Sequence, residues 1–332
     1  MNATRSAVPI KTALTTRLAI THPVLLAPMD LVADARLTAA VSAAGGLGIL
    51  GGGYGDAAWL TAQLDRLAST RERFGVGFIT WSLAKQVQLL ELALERKPVA
   101  VLLSFGDVTP FIDRIHRAGA LAICQVQSLA MAREAVAAGA DVLVAQGSEA
   151  GGHGATRGVF TLVPELIDAV GPGVLVVAAG GIADGRGLAA ALMLGASGVL
   201  MGTRLYATTE AAGADDAKER IRRADGDATV RGMVFDITRQ RAWPAPFTGR
   251  CLRNAHLDRW HGRELELLHR VGEAAAEFAA ARSAGNYDVL PVIAGEATGL
   301  VHDIPSAAAV LERVVAQAAS LLAAAATRVE PA

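Results

Sequence analysis

One histidine is set apart by its neighbours. His153 lies in Glu149-Ala-Gly-Gly-His-Gly-Ala, with Gly147, Gly151, Gly152 and Gly154 around it. That much glycine leaves little local bulk to bury an imidazole. The ring is therefore expected to face a ligand cavity, where it can move a proton near neutral pH. A surface-loop histidine is the plain alternative; the position of the loop, directly after an apolar run, sets the cavity reading level with it. Two more glycine signals follow later apolar runs: Ala179-Gly180-Gly181 and Gly202-Thr203. Backbone N–H groups in such turns, with a short helix N-terminus, can hold a phosphate, and glycine lets the anion approach closely. Thr203 would add a hydroxyl. Otherwise these glycines only turn the chain. Gln125 and Gln146 end apolar runs and could bond a planar heterocycle, or simply pack there. Met29, after Ala27-Pro28, could lie against a flat ring or fill core space. Glu149 reads as a solvated loop carboxylate.

The remaining candidates are weaker. His22, His116, His256, His261 and His269 form no pair with metal-ligand spacing and acidic support, so no metal is expected. Cys124 sits within an apolar run, and Cys251 has no evident activating partner. Two cysteines make no disulfide framework and imply a reducing, cytoplasmic setting. A formal net charge of -1, from 31 basic and 32 acidic residues, gives no case for nucleic acid or an anionic membrane as partner. The N-terminus lacks a signal-peptide core, and no run reads as a membrane span. Dinucleotide, Walker and Gly-x-Ser-x-Gly signatures are absent, which lowers hydrolase and kinase readings.

These residues need a scaffold. Apolar runs begin at Val24, Leu47, Phe74, Val99, Leu121, Val142, Val174 and Gly198, and helical stretches separate them. Short apolar runs bounded by glycine read as strands buried on both faces. Eight alternating units predict a (β/α)8 TIM barrel with a mainly helical insertion after strand 8. Asp34, Asp56, Ser128 and Asp184 are expected helix caps. Helices are expected over 83–96, 110–118, 215–224, 257–281 and 306–327, and Pro164 at the first turn of another. The barrel comprises 1–212 and 289–332. Residues 213–288 form the insertion or lid, with an irregular Trp243-Pro-Ala-Pro-Phe segment. The tail from Val329 is expected to fray.

Taken together, several pieces resemble the nitronate monooxygenase family, once called 2-nitropropane dioxygenases. They are Ala27-Pro28-Met29, Gly75-Val-Gly-Phe, Gln146-Gly-Ser-Glu-Ala-Gly-Gly-His, Ala178-Ala-Gly-Gly-Ile-Ala-Asp-Gly-Arg, Met201-Gly-Thr-Arg and Ala294-Gly-Glu-Ala-Thr-Gly-Leu. The resemblance covers nearly the whole chain and is weakest across 213–288. It implies FMN as cofactor. Ala27, Pro28, Met29, Gly77, Gln125, Gln146 and Gly151 would line the flavin. Ala179, Gly180, Gly181, Gly202 and Thr203 would hold its phosphate. His153 matches the family's catalytic histidine, while many members carry Asn where Gly77 stands.

The implied reaction is oxidation of an alkyl nitronate, such as propionate 3-nitronate, by O2 to a carbonyl compound and nitrite. The partners are then a nitronate or nitroalkane and O2. Two other readings share the architecture: an FMN-dependent enoyl-(acyl carrier protein) reductase using NAD(P)H, and a non-catalytic flavin-binding barrel.

Overall fold

Each apolar run becomes a strand because both of its faces find something to bury against. The structure, a computed structural model, describes residues 9–325. The strands are β1 (Val24–Leu26), β2 (Gly48–Gly51), β3 (Phe74–Ile79), β4 (Ala100–Ser104), β5 (Leu121–Val126), β6 (Val142–Gln146), the short non-barrel strand β7 (Gly152–Gly154), β8 (Leu175–Ala179) and β9 (Gly198–Met201). The eight-stranded parallel sheet runs β1-β9-β8-β6-β5-β4-β3-β2. Its two ends meet: Leu26 N donates to Leu47 O at 2.9 Å and Leu47 N to Val24 O at 3.0 Å. The expected TIM barrel is thus present, nearly closed.

Side chains alternate between the two faces with the strand period of two. Leu25, Ile49, Leu102, Ile123, Val144, Val177 and Leu200 form one cluster, the inner layer. Val24, Leu50, Val76, Leu103, Leu143 and Val199 belong to the layer under the helices. A helix not anticipated from the sequence, Ala13–Leu18, starts at a Thr12 capping box. Its Leu14 and Leu18 join the inner cluster and plug the end of the barrel remote from the site. Gly198 makes room for this plug, since a Cβ there would lie 2.5 Å from Leu14 Cδ2.

Asp34, Asp56, Ser128 and Asp184 each cap the expected helix. Several local expectations fail. The continuous helix over 83–96 is split into Thr80–Leu83 and Gln88–Leu94. Ser82 and Gln86 both donate to Tyr54 O there, which holds the chain in a turn beside the mouth. Pro164 is not in a first turn but inside the helix Val159–Val170. That helix begins early because the Glu149 carboxylate accepts from Val159 N at 2.9 Å, a favourable charge at a helix start. Glu149 is therefore a helix anchor, not a free loop carboxylate.

The insertion is mainly helical but carries two strands, β10 (Thr229–Gly232) and β11 (Thr248–Leu252). These join β7 in an antiparallel sheet ordered β10-β11-β7. The single helix expected over 257–281 is three, Ala255–Trp260, Glu264–His269 and Val271–Ala284, with Gly262 at φ +80° in the first break. The last helix, Ala307–Ala325, is long and apolar enough to cross a membrane. It buries Val310, Leu311, Val314 and Val315, and its Val314–Ala318 segment lies tightly against Gly185. Its expected extension to Thr327 and the fraying tail lie outside the described residues.

Leu14 is fully buried, so Leu14→Ala is expected to cost ~2–5 kcal/mol. Urea denaturation followed by circular dichroism measures this; a loss below ~1 kcal/mol would show that the plug is dispensable.

Candidate active site

The barrel mouth opens into a cavity of about 330 Å³, inside the ~300–1,000 Å³ span of small-molecule sites. Ala27, Pro28 and Met29 line it after β1, Gly77 from β3, Gln125 from β5 and Gln146 from β6. Gly151 and His153 line it from the segment after β6, Ala179, Gly180 and Gly181 from the end of β8, and Gly202 and Thr203 after β9. Every site residue expected from the sequence reaches this one cavity.

The β8 and β9 exits form a cradle. Gly180 and Gly181 have φ of +108° and +71°, a region that favours glycine. Among the described residues, the N–H groups of Gly180, Gly181, Gly202 and Thr203 have no hydrogen-bond acceptor. The Thr203 hydroxyl accepts from Gly295 N at 2.9 Å, which leaves its own proton to donate. Gly151 and Gly295 cross backbone to backbone: a Cβ on Gly151 would sit 2.6 Å from Ala294 C. These donors fit an anionic group such as a phosphate. The Gln125 side chain has no hydrogen-bond partner among the described residues and can meet a polar ring edge. Gln146 differs: it accepts from Gln127 Nε2 at 2.8 Å and donates to His153 O at 3.0 Å, so its amide is already engaged in holding the His153 segment. Gly77 is glycine for a local reason, since a Cβ would fall 2.3 Å from Pro28 Cβ.

His153 is not in a free loop. It is the middle residue of β7, in register with Gly249 of β11. Its imidazole is largely buried, by the insertion and not by its own loop. His153 Nε2 lies 2.9 Å from Asp236 Oδ2 and 3.1 Å from Oδ1, with the side chains 9% and 4% exposed. Trp243 stacks on the ring, centroids 3.4 Å apart and planes within 6°. Phe105 meets it edge-on at 6.3 Å. Trp243 is steadied in turn by Nε1 donating to the Tyr54 hydroxyl at 3.0 Å. Arg239 lines the cavity and donates to Asp236 Oδ1 at 3.2 Å.

Two arginines of the insertion hold the glycine-rich segment. Arg231 donates to Ser148 O and Ala150 O, both at 3.0 Å, and to Thr248 O. Arg250 donates to Ser148 O at 3.0 Å and pairs with Glu296 at 2.9 Å. Burial lowers the Arg231 pKa to about 10, so the group is still charged at neutral pH.

Sequence reasoning missed Asp236, Arg239, Trp243, Phe105 and Tyr54. The one available signal was the Trp243-Pro-Ala-Pro-Phe segment, noted only as irregular. Asp236 sits 83 residues from His153 in the chain, beyond the reach of any spacing argument.

Known proteins resemble this chain over most of its length. The family model described as Nitronate monooxygenase matches residues 11–78 and 76–317. A nitronate monooxygenase of Metarhizium robertsii is 36% identical, over 90% of this chain and 91% of the relative. A 5-hydroxy-7a-methyl-1-oxo-octahydro-1H-indene-4-carboxyl-CoA dehydrogenase of Mycobacterium tuberculosis is 33% identical, over 97% and 99%. The solved structure of FabK from Thermotoga maritima superposes with a TM-score of 0.85 at 30% identity, covering 96% of this chain and 100% of that one.

Burial holds the His153 pKa below its ordinary 6.5, against the opposing Asp236 hydrogen bond. Between the folded and unfolded values the unfolded chain binds more protons, so stability rises with pH there. The contribution is complete above 6.5 and is lost as pH falls toward the lowered folded value. Denaturation midpoints should therefore drop between roughly pH 7 and pH 5, and less steeply in His153→Gln. His22 and His256, also lowered by burial, keep some slope in the variant. Equal slopes in the two proteins would contradict the buried neutral ring.

Proposed function

This chain belongs to the nitronate monooxygenase family, and on that premise we propose that it is an FMN-dependent enzyme oxidising alkyl nitronates, such as propionate 3-nitronate, with O2 to a carbonyl compound and nitrite. The observation that carries this reading is the convergence of a buried imidazole and two glycine-borne sets of free N–H donors on one cavity.

Gly180, Gly181, Gly202 and Thr203 would hold the phosphate of FMN, and Gln125 would meet the ring edge. Ala27, Pro28 and Met29 supply an apolar wall. FMN bound there supplies the two-electron redox chemistry that links the nitronate to O2. The chain's own groups bind and orient the substrate. Trp243, Phe105 and Tyr54 exclude water from one side of His153 and strengthen every charge interaction behind them. Arg239 places positive charge at the cavity wall, where an anionic nitronate gains from it. His153 orients the anion, or takes the α-proton when a neutral nitroalkane binds. A cytoplasmic location, with the small substrate and O2 as partners, belongs to the same proposal.

A second reading is an FMN-dependent enoyl-(acyl carrier protein) reductase using NAD(P)H. The relative named as a carboxyl-CoA dehydrogenase supports thioester chemistry on this scaffold. Anaerobic mixing separates the two. Loss of flavin absorbance with propionate 3-nitronate but not with NADH supports the first; rapid loss with NADH supports the second. His153→Asn is expected to keep bound FMN while turnover falls at least ~10²-fold. Unchanged nitronate kinetics in that variant would remove His153 from the chemistry.

A further inference from the structure

We propose that Asp236 is a positioning residue that selects the reacting nitrogen of His153, and so fits the site to a neutral carbon acid, a nitroalkane, as well as to a preformed nitronate. The inference rests on the reading just given and adds a residue from the insertion to the site.

An ionised carboxylate only accepts hydrogen bonds. Both Asp236 oxygens lie within reach of His153 Nε2, at 2.9 and 3.1 Å, so Nε2 must carry the proton. The neutral ring has one proton, and Nδ1 is left with a lone pair. Among the described residues Nδ1 has no hydrogen-bond partner. A flip of the ring would break the Asp236 bond, and the Trp243 stack at 3.4 Å holds the ring plane. Arg239, donating to Oδ1 at 3.2 Å, fixes the carboxylate itself. Asp236 thus works on the imidazole as the buried carboxylate of a catalytic triad does, by orientation and by facing the charge that develops.

The step this serves balances simply. The Nδ1 lone pair takes the α-proton of the nitroalkane. The C–H electron pair moves into the new C=N bond, and the negative charge settles on the nitro oxygens. Neutral imidazole and neutral nitroalkane become imidazolium and nitronate, with Asp236 opposite the imidazolium Nε2–H. A preformed nitronate needs no such acceptor.

The direct test is ¹⁵N–¹H long-range NMR of the protein as purified, with the His153 signals identified by their loss in His153→Asn. Wild type is expected to show the Nε2–H form. In Asp236→Asn the amide oxygen stays with Arg239 and the NH2 group faces Nε2, so the Nδ1–H form is expected. Kinetics supply the second arm. The ratio of kcat/KM for nitroethane to that for ethylnitronate should fall at least ~10-fold in Asp236→Asn, because proton abstraction by a positioned base contributes ~10²–10⁴-fold. An Nδ1–H form in wild type overturns the proposal, and that result needs no variant to fold. Equal losses on the two substrates overturn it too, by showing a merely structural role. If wild type oxidises neither compound, the nitronate reading fails, while the NMR result still decides the role of Asp236.

Discussion

The site depends on satisfying the carbonyls of a glycine-rich segment. Residues 147–152 leave β6 as Gly-Ser-Glu-Ala-Gly-Gly and cannot support themselves by packing. Buried backbone oxygens without donors cost about 1–3 kcal/mol each. Arg231 and Arg250 supply those donors from the insertion, bonding Ser148 O and Ala150 O. The β7–β11 ladder adds the register that sets Gly249 opposite His153. Barrel and insertion are therefore joined at the segment that carries the imidazole.

This joining determines the electrostatics. The insertion brings a half-buried cation, Arg231, a buried carboxylate, Asp236, and a second cation, Arg239, close to one ring. It also brings Trp243, which stacks on that ring and packs edge-on against Phe105 and Tyr54. In such a setting each charge acts through a low effective dielectric, so fixed partners matter more than they would in solvent. The cradle at the β8 and β9 exits needs none of this. It is built by two strand exits in glycine-favoured conformations and by Thr203, held by Gly295.

Much of this could be read from the chain, and the reason is local. Apolar runs such as Val142–Gln146 and Leu175–Ala179 stop at glycine, so strand, exit and donor group are written within a few residues of one another. The same holds for caps such as Asp184. Features that depend on distant partners were hidden. Asp236 looks like any helix carboxylate until β10 and β11 fold it onto β7. The strands of the insertion are short and rich in arginine and glycine, Thr-Val-Arg-Gly and Thr-Gly-Arg-Cys-Leu, and lack the apolar alternation that marks a strand. Pro164 was misplaced because Glu149, fifteen residues earlier in the chain, sets where its helix begins.

The proposal that joins these points is that the insertion completes the mouth of the barrel around a phosphate-held flavin. A crystal structure of the protein grown with FMN tests it most directly. The account predicts density for the phosphate at the N–H groups of Gly180, Gly181, Gly202 and Thr203, with the ring system facing His153 and the Asp236 contact intact. A phosphate bound elsewhere, or His153 turned away from the cavity and parted from Asp236, would contradict it.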